Sequence, residues 1–323
     1  MPSHNANEFN SRRTPILAVS RKTIINITLI ASLLLPSLAQ ASVDSCFNFL
    51  NAQDYTRAAD EAQQALQAGN LSRIDERDAH LCLGRAYRNM GYTQDALPAY
   101  QRVEALSQTT KELAIAYSGL GVLYSSLGDL DRSEFHHQRA LKAFRKLEDK
   151  QNEASTLNNL ATISQARGDQ SRALQLFGEA LILQPEVAQA TTLNNIAMIH
   201  FERKGYKHAI KLLREAIEID RHNADAHAAA QKQINLGDIL HSDRQYQAAE
   251  KELLAGLNAI RLVGDKKWEA DACYKLGSLA GTKGNPKRNG SEARQWYAKA
   301  EALYREIGDT ANADEIAKLL AEK

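Results

Sequence analysis

The sequence has almost no net charge: 40 lysines and arginines stand against 39 aspartates and glutamates, a formal +1. Residues 1–41 hold Arg12, Arg13, Arg21 and Lys22 against Glu8, a balance of +3, so the remainder carries −2. A body so close to neutral offers no basic field to DNA or RNA, and nucleic acid is excluded as a partner. Aromatics are scarce at 6%. With 24% charged and 44% hydrophobic residues, the chain is too apolar for general disorder and too charged for a polytopic membrane protein. It also lacks a glycine-rich phosphate loop, a Gly-x-Ser-x-Gly elbow and a His-Glu-x-x-His pair. It therefore reads as non-catalytic, with no cofactor and no metal. His136-His137 is the one local histidine pair. Adjacent helical residues point about 100° apart and do not readily chelate one ion.

The first 41 residues read as an address. Four basic residues precede an apolar run from Ile24 to Leu35, which Pro36 ends, and Ala39-Gln40-Ala41 follows. Charged segment, short apolar segment and small-x-small site are the order of a secretory signal peptide, cleaved after Ala41. Twelve helical residues span about 18 Å, short of the roughly 30 Å hydrocarbon core. The alternative is an uncleaved segment anchoring the chain in the inner membrane. The expected destination is the periplasm or the exterior.

The rest repeats itself. A small residue on one helix is followed twelve positions later by a small residue on the next: Cys46 and Ala58, Gly84 and Ala96, Gly121 and Ser133, Ala161 and Ala173, Ala197 and Ala209, Gly237 and Ala249. Gly277 and Ala293 repeat the pattern with four residues inserted. First members recur every 36 to 40 residues. Breakers fall between: Gly91, Gly128, Gly168, Gly205, and the polar Ser242-Asp243-Arg244. This is the pattern of antiparallel helix pairs that touch closely where side chains are small and stack to cover one another's apolar stripes. Tyr100, Phe177, Leu213, Leu253 and Tyr297 each stand four residues past the second small residue. His137 holds the same place, which assigns it to packing.

The segments Leu83-Gly84-x-x-Tyr87…Gly91…Ala96…Tyr100 and Leu160-Ala161…Gly168-Asp169…Ala173…Phe177…Ala180-Leu181…Pro185 resemble the tetratricopeptide-repeat (TPR) signature. The period is longer than the usual 34 residues and is similar to that of a longer-period subclass. The resemblance implies an all-α, right-handed superhelix of about seven helix-turn-helix repeats over residues 42–308, with residues 309–323 as a capping helix. It further implies that first helices line a concave surface where a protein or peptide segment binds.

Three consecutive first helices place asparagine two residues before the small one: Asn159, Asn195 and Asn235, with Asn158 and Asn194 preceding two of them. An amide both donates and accepts, so a row of amides can pair with an extended backbone whatever its side chains. The same amides could equally tie neighbouring helices together. Ser155, Thr191 and Gln231 stand where carboxylate-clamp repeats carry lysine and arginine, so a C-terminal carboxylate ligand is not supported. Cys46 and Cys82 fall on first helices of adjacent repeats, within potential bridging range, or are packed thiols. Cys273 reads as a small hydrophobe. The function expected is an envelope interaction scaffold or assembly factor. The alternatives are a peptide-responsive regulator and a membrane-anchored adaptor; membrane contact follows only if the leader is retained.

Overall fold

The structure, a computed structural model, describes residues 43–321; the leader and its cleavage site lie outside them. Among the described residues the regular elements are all helical. They are α1 (43–51), α2 (Tyr55–Ala68), α3 (Arg73–Asn89), α4 (Thr93–Leu106), α5 (Thr110–Ser126), α6 (Leu130–Lys146), α7 (Lys150–Ala166), α8 (Gln170–Leu183), α9 (Ala190–Glu202), α10 (Tyr206–His222), α11 (Ala226–Ser242), α12 (Tyr246–Val263), α13 (Lys266–Gly281), α14 (Gly290–Glu306) and α15 (Thr310–Ala321). A 3-10 turn, Glu186–Ala188, stands before α9. The helices fall into two compact units, one ending at Ser107 and one beginning at Gln108. In the first, α3 packs on α4; in the second, α5 pairs with α6, α7 with α8, α9 with α10, α11 with α12 and α13 with α14.

Local chemistry sets the helix ends. Asp129, Asp149, Asp169, Asp225 and Asp265 each accept a hydrogen bond from the backbone N–H three residues on. Each satisfies a donor the helix cannot satisfy itself. Thr109 and Glu112 cap α5 reciprocally. Gly128 and Gly168 close their helices at φ 76° and 81°, the left-handed region that glycine enters without a Cβ clash. Gly205 behaves differently from the sequence-based expectation. It sits at φ −80° before α10, and Lys204 takes the left-handed place at φ 60°. A Cβ on Gly205 would lie 3.2 Å from the His200 carbonyl oxygen, so this glycine permits a close backbone approach instead. Arg244 does the turning in the polar cluster, at φ 62°.

The paired small residues do mark helix crossings, but the room they leave is filled chiefly by a side chain. A Cβ added to Gly84 would meet the Tyr100 ring at 3.1 Å, one on Gly121 the His137 ring at 2.7 Å, one on Gly237 Leu253 Cγ at 2.5 Å and one on Gly277 the Tyr297 ring at 2.8 Å. Each large group stands four residues past the second small residue, so one turn of the second helix lies over the glycine of the first. Ser133 adds a polar tie at the crossing, its hydroxyl donating to the Gly121 carbonyl at 2.7 Å. His137 fills the place of Tyr100 and Phe177 and is 1% exposed. Burial pushes its pKa down to about 4, which keeps the ring neutral and apolar enough for that place. His136 points elsewhere and stacks on Tyr124 at 5.3 Å. Cys273 is fully buried among Leu276, Ala272 and their neighbours, and burial raises its thiol pKa to about 11. Such a thiol stays protonated and unreactive.

The first unit is held differently. Every buried residue of α2 is an alanine: Ala58, Ala59, Ala62 and Ala65. Alanine removes little apolar area from water, so this helix gains little by packing. Against it stands a covalent link: Cys46 on α1 is joined to Cys82 on α3, their Cα atoms 6.3 Å apart. The bridge lies in the same small cluster, with Ala58, Ala62, Leu83 and Ala86.

Candidate functional site

Within the second unit, α7 lies beside α5 and α9, and α11 beside α13, and a hydrogen bond from Asn235 to Asn194 joins α11 to α9. Amides run across the face of these first helices. Asn158 and Thr192 bond to each other, the amide donating at 2.8 Å, and Thr192 also reaches the Gln184 side chain at 2.9 Å. Asn235 Nδ2 donates to Asn194 Oδ1 at 3.2 Å, and Asn194 Nδ2 donates to Asn195 Oδ1 at 3.3 Å. These bonds join α7 to α9 and α9 to α11. All five asparagines are half-buried.

The ties leave capacity over. A primary amide offers two donors and two lone pairs. Asn159 spends none of these on another described side chain, Asn195 only accepts, and Asn235 only donates. The ties orient Asn194, Asn195 and Asn235 with groups still unspent, while Asn159 is untied, and the two readings of the row are compatible. Asn194, the preceding residue and not a member of the in-register trio, is the hub. Its position one residue before Asn195 was visible in the sequence; its role as the link between α9 and α11 was not.

Two cavities open on this face. The larger, about 730 Å³, is lined by Asn158, Asn159, Ser155 and Lys150 of α7, by Thr191, and by Gln184, Pro185, Val187 and Ala188 of the connection between α8 and α9. That connection is irregular because Gln184 and Pro185 hold extended backbone before the 3-10 turn. Gln189 steadies the loop by donating to the carbonyls of Gln184 and Leu181 at 3.1 and 3.3 Å. The smaller cavity, about 330 Å³, lies at Asn235 and is lined also by Trp268, Tyr274, Asp271 and Lys275 of α13, Tyr304 of α14 and Glu315 of α15. The sequence reasoning missed this aromatic group. Its one available signal was Trp268, one of only two tryptophans, in the first turn of a first helix.

Charges near the face are mostly spoken for. Lys275 pairs with Asp238 and Lys150 with Glu153 at 3.2 Å, while His227 Nε2 hydrogen-bonds to Asp265 at 2.9 Å. Nothing here resembles a nucleophile held by a base. Among the described residues no three His, Cys, Asp or Glu side chains converge as a metal site, and no helix is long and apolar enough to cross a membrane. The arrangement supplies hydrogen-bond donors and acceptors at regular intervals along a grooved surface.

A family model described as Tetratricopeptide repeat matches residues 75–146 and 112–186, and a second with the same description matches residues 189–222. No curated protein sequence matches the chain. Among solved structures, the apo form of the quorum sensor NprR from B. thuringiensis is similar at TM-score 0.62 and 12% identity, over 87% of this chain and 86% of that one. A Rap protein complexed with Competence and Sporulation Factor is similar at 0.57 and 13%, over 88% and 96%. The Pseudomonas aeruginosa pilF protein is similar at 0.54 and 19%, over 78% and 99%. At such identities the likeness is one of fold.

Proposed function

The chain belongs to the tetratricopeptide-repeat family, and on that premise we propose that it is a non-catalytic interaction scaffold of the cell envelope, holding a segment of a partner protein along the face of α7, α9 and α11. The observation that carries this reading is the row of half-buried amides, of which Asn194, Asn195 and Asn235 are joined by mutual bonds, with donors and acceptors left over along it beside open cavities. An extended backbone presents its N–H and C=O groups in alternation, and such a row pairs with it at about 0.5–1.5 kcal/mol per bond.

Export is supported by the order of charged, apolar and small residues in 1–41, with cleavage after Ala41 leaving Ser42 first. It is supported also by the Cys46–Cys82 bridge, since such bonds persist in oxidising compartments. A retained leader would turn the scaffold into an inner-membrane adaptor with the same groove. A peptide-responsive regulator is the second reading. It draws on the quorum-sensor description of NprR and on the Rap complex, and it places a peptide where the scaffold reading places a protein segment.

Photo-crosslinking in intact cells tests the site. A benzophenone amino acid at Thr191, exposed at the larger cavity, should yield a discrete adduct with a partner. The same probe at Lys211, exposed on α10 and lining neither cavity, should not. Equal adducts from both positions, or adducts from Lys211 alone, would place the working surface elsewhere.

A further inference from the structure

The two cavities differ in chemistry. The larger is lined by amides, hydroxyls and Lys150 together with Leu183, Pro185 and Val187, and no carboxylate lines it. The smaller brings together three aromatic residues, Trp268, Tyr274 and Tyr304, with Asp271 and Glu315. Its one cation, Lys275, is already engaged by Asp238, so the local balance is two negative charges. The Tyr304 hydroxyl donates to Asp271 Oδ1. Burial, and then the bond to Asp271, raise the Tyr304 pKa far above its ordinary value, so the phenol remains a donor to that carboxylate. Oδ2 of that carboxylate and the whole carboxylate of Glu315 have no partner among the described residues. Aromatic faces attract cations through their quadrupole, carboxylates attract them directly, and both repel an acidic group. A cavity of about 330 Å³ admits one long side chain, whose stem would lie against the rings while its head meets the carboxylates.

We propose that this cavity is a subsite for a single lysine or arginine side chain of the bound segment. The proposal rests on the reading of the face as a groove for a partner segment and adds the identity of one recognised residue. It also sets register. The cationic residue docks between α11, α13 and α15, and the neighbouring backbone runs from Asn235 past Asn195 toward Asn159, where an apolar or neutral residue meets the larger cavity.

Selection of random 12-residue peptides displayed on phage against the whole chain tests both layers. The peptides recovered should carry arginine or lysine at one fixed position. Replacing that residue by norleucine should weaken binding about tenfold, the scale of a cation–π contact joined to an ion pair. Asp271→Asn with Glu315→Gln should weaken the parent peptide by a similar factor while leaving the norleucine peptide unaffected; asparagine keeps an acceptor for Tyr304, so the pocket is preserved. Peptides without a fixed cationic position, or a norleucine penalty that is undiminished in the double variant, overturn the subsite. If binding responds to Asn159→Ala and not to the charge variant, the groove stands and the subsite falls. If no recovered peptide depends on either, both readings fall together.

Discussion

Replacing Lys232 by methionine will destabilise the second unit by about 3–5 kcal/mol, the cost of leaving a carboxylate buried without its partner. Lys232 on α11 meets Asp220, in the last turn of α10, at 2.6 Å, and each side chain is 8% exposed. Both side chains are almost wholly buried, which leaves water little access to take the place of the lost ammonium. Methionine fills nearly the same volume, so the loss reports charge and not a cavity. The double change Lys232→Met with Asp220→Leu removes both charges and should recover most of the stability, because a dry ion pair contributes little beyond its own desolvation. Thermal and urea unfolding of the three variants measure this. A single variant within about 1 kcal/mol of the parent would mean that the pair is solvated.

Removing the Cys46–Cys82 bridge should cost roughly 3–4 kcal/mol in the first unit, from the entropy returned to a loop of this size. The sequence separation is 36 residues. The effect is concentrated at one end, since α2 buries only alanines and has little packing energy to fall back on. Cys46→Ala with Cys82→Ala should raise hydrogen exchange throughout α1 and α2 and leave α11 to α14 unchanged. Thiol counting on unfolded, unreduced protein gives an independent answer. One reactive thiol, that of Cys273, is expected; three would mean that the bridge is absent from the protein in its compartment.

How far the sequence disclosed this depends on whether a feature is periodic. Gly84, Gly121, Gly237 and Gly277 announce their helix crossings because a repeat solves the same packing problem each time. The register of Tyr100 and Phe177 likewise placed His137 in the core. The identity of the group above each glycine was less accessible. It lies one turn beyond the paired small residue, and only three-dimensional packing shows that Tyr100 and not Ala96 occupies the space over Gly84. Aperiodic features stayed hidden. The larger cavity depends on extended backbone at Gln184 and Pro185, a local departure from the repeat. The smaller one assembles Trp268, Tyr304 and Glu315 from three helices, with no common spacing to expose them. Asn194 was visible as a neighbour of the row, but its tie to Asn235 spans 41 residues.

The central claim is that unspent amides on this face bind a partner's backbone, and Asn159 offers the most direct measurement. Its side chain makes no hydrogen bond with another described residue, so Asn159→Ala removes no tie. Asn195→Ala and Asn235→Ala break the link through Asn194 as well. Dissociation constants for the groove-bound segment and melting temperatures should be measured on the single variant and on the triple variant. The account predicts that Asn159→Ala weakens binding several-fold at unchanged melting temperature. The triple change should weaken it by about tenfold or more, as two or three bonds of 0.5–1.5 kcal/mol require, with only a small fall in melting temperature. Unchanged affinity per folded molecule in the triple variant, together with a clear loss of stability, would contradict it and make the row a set of helix ties alone.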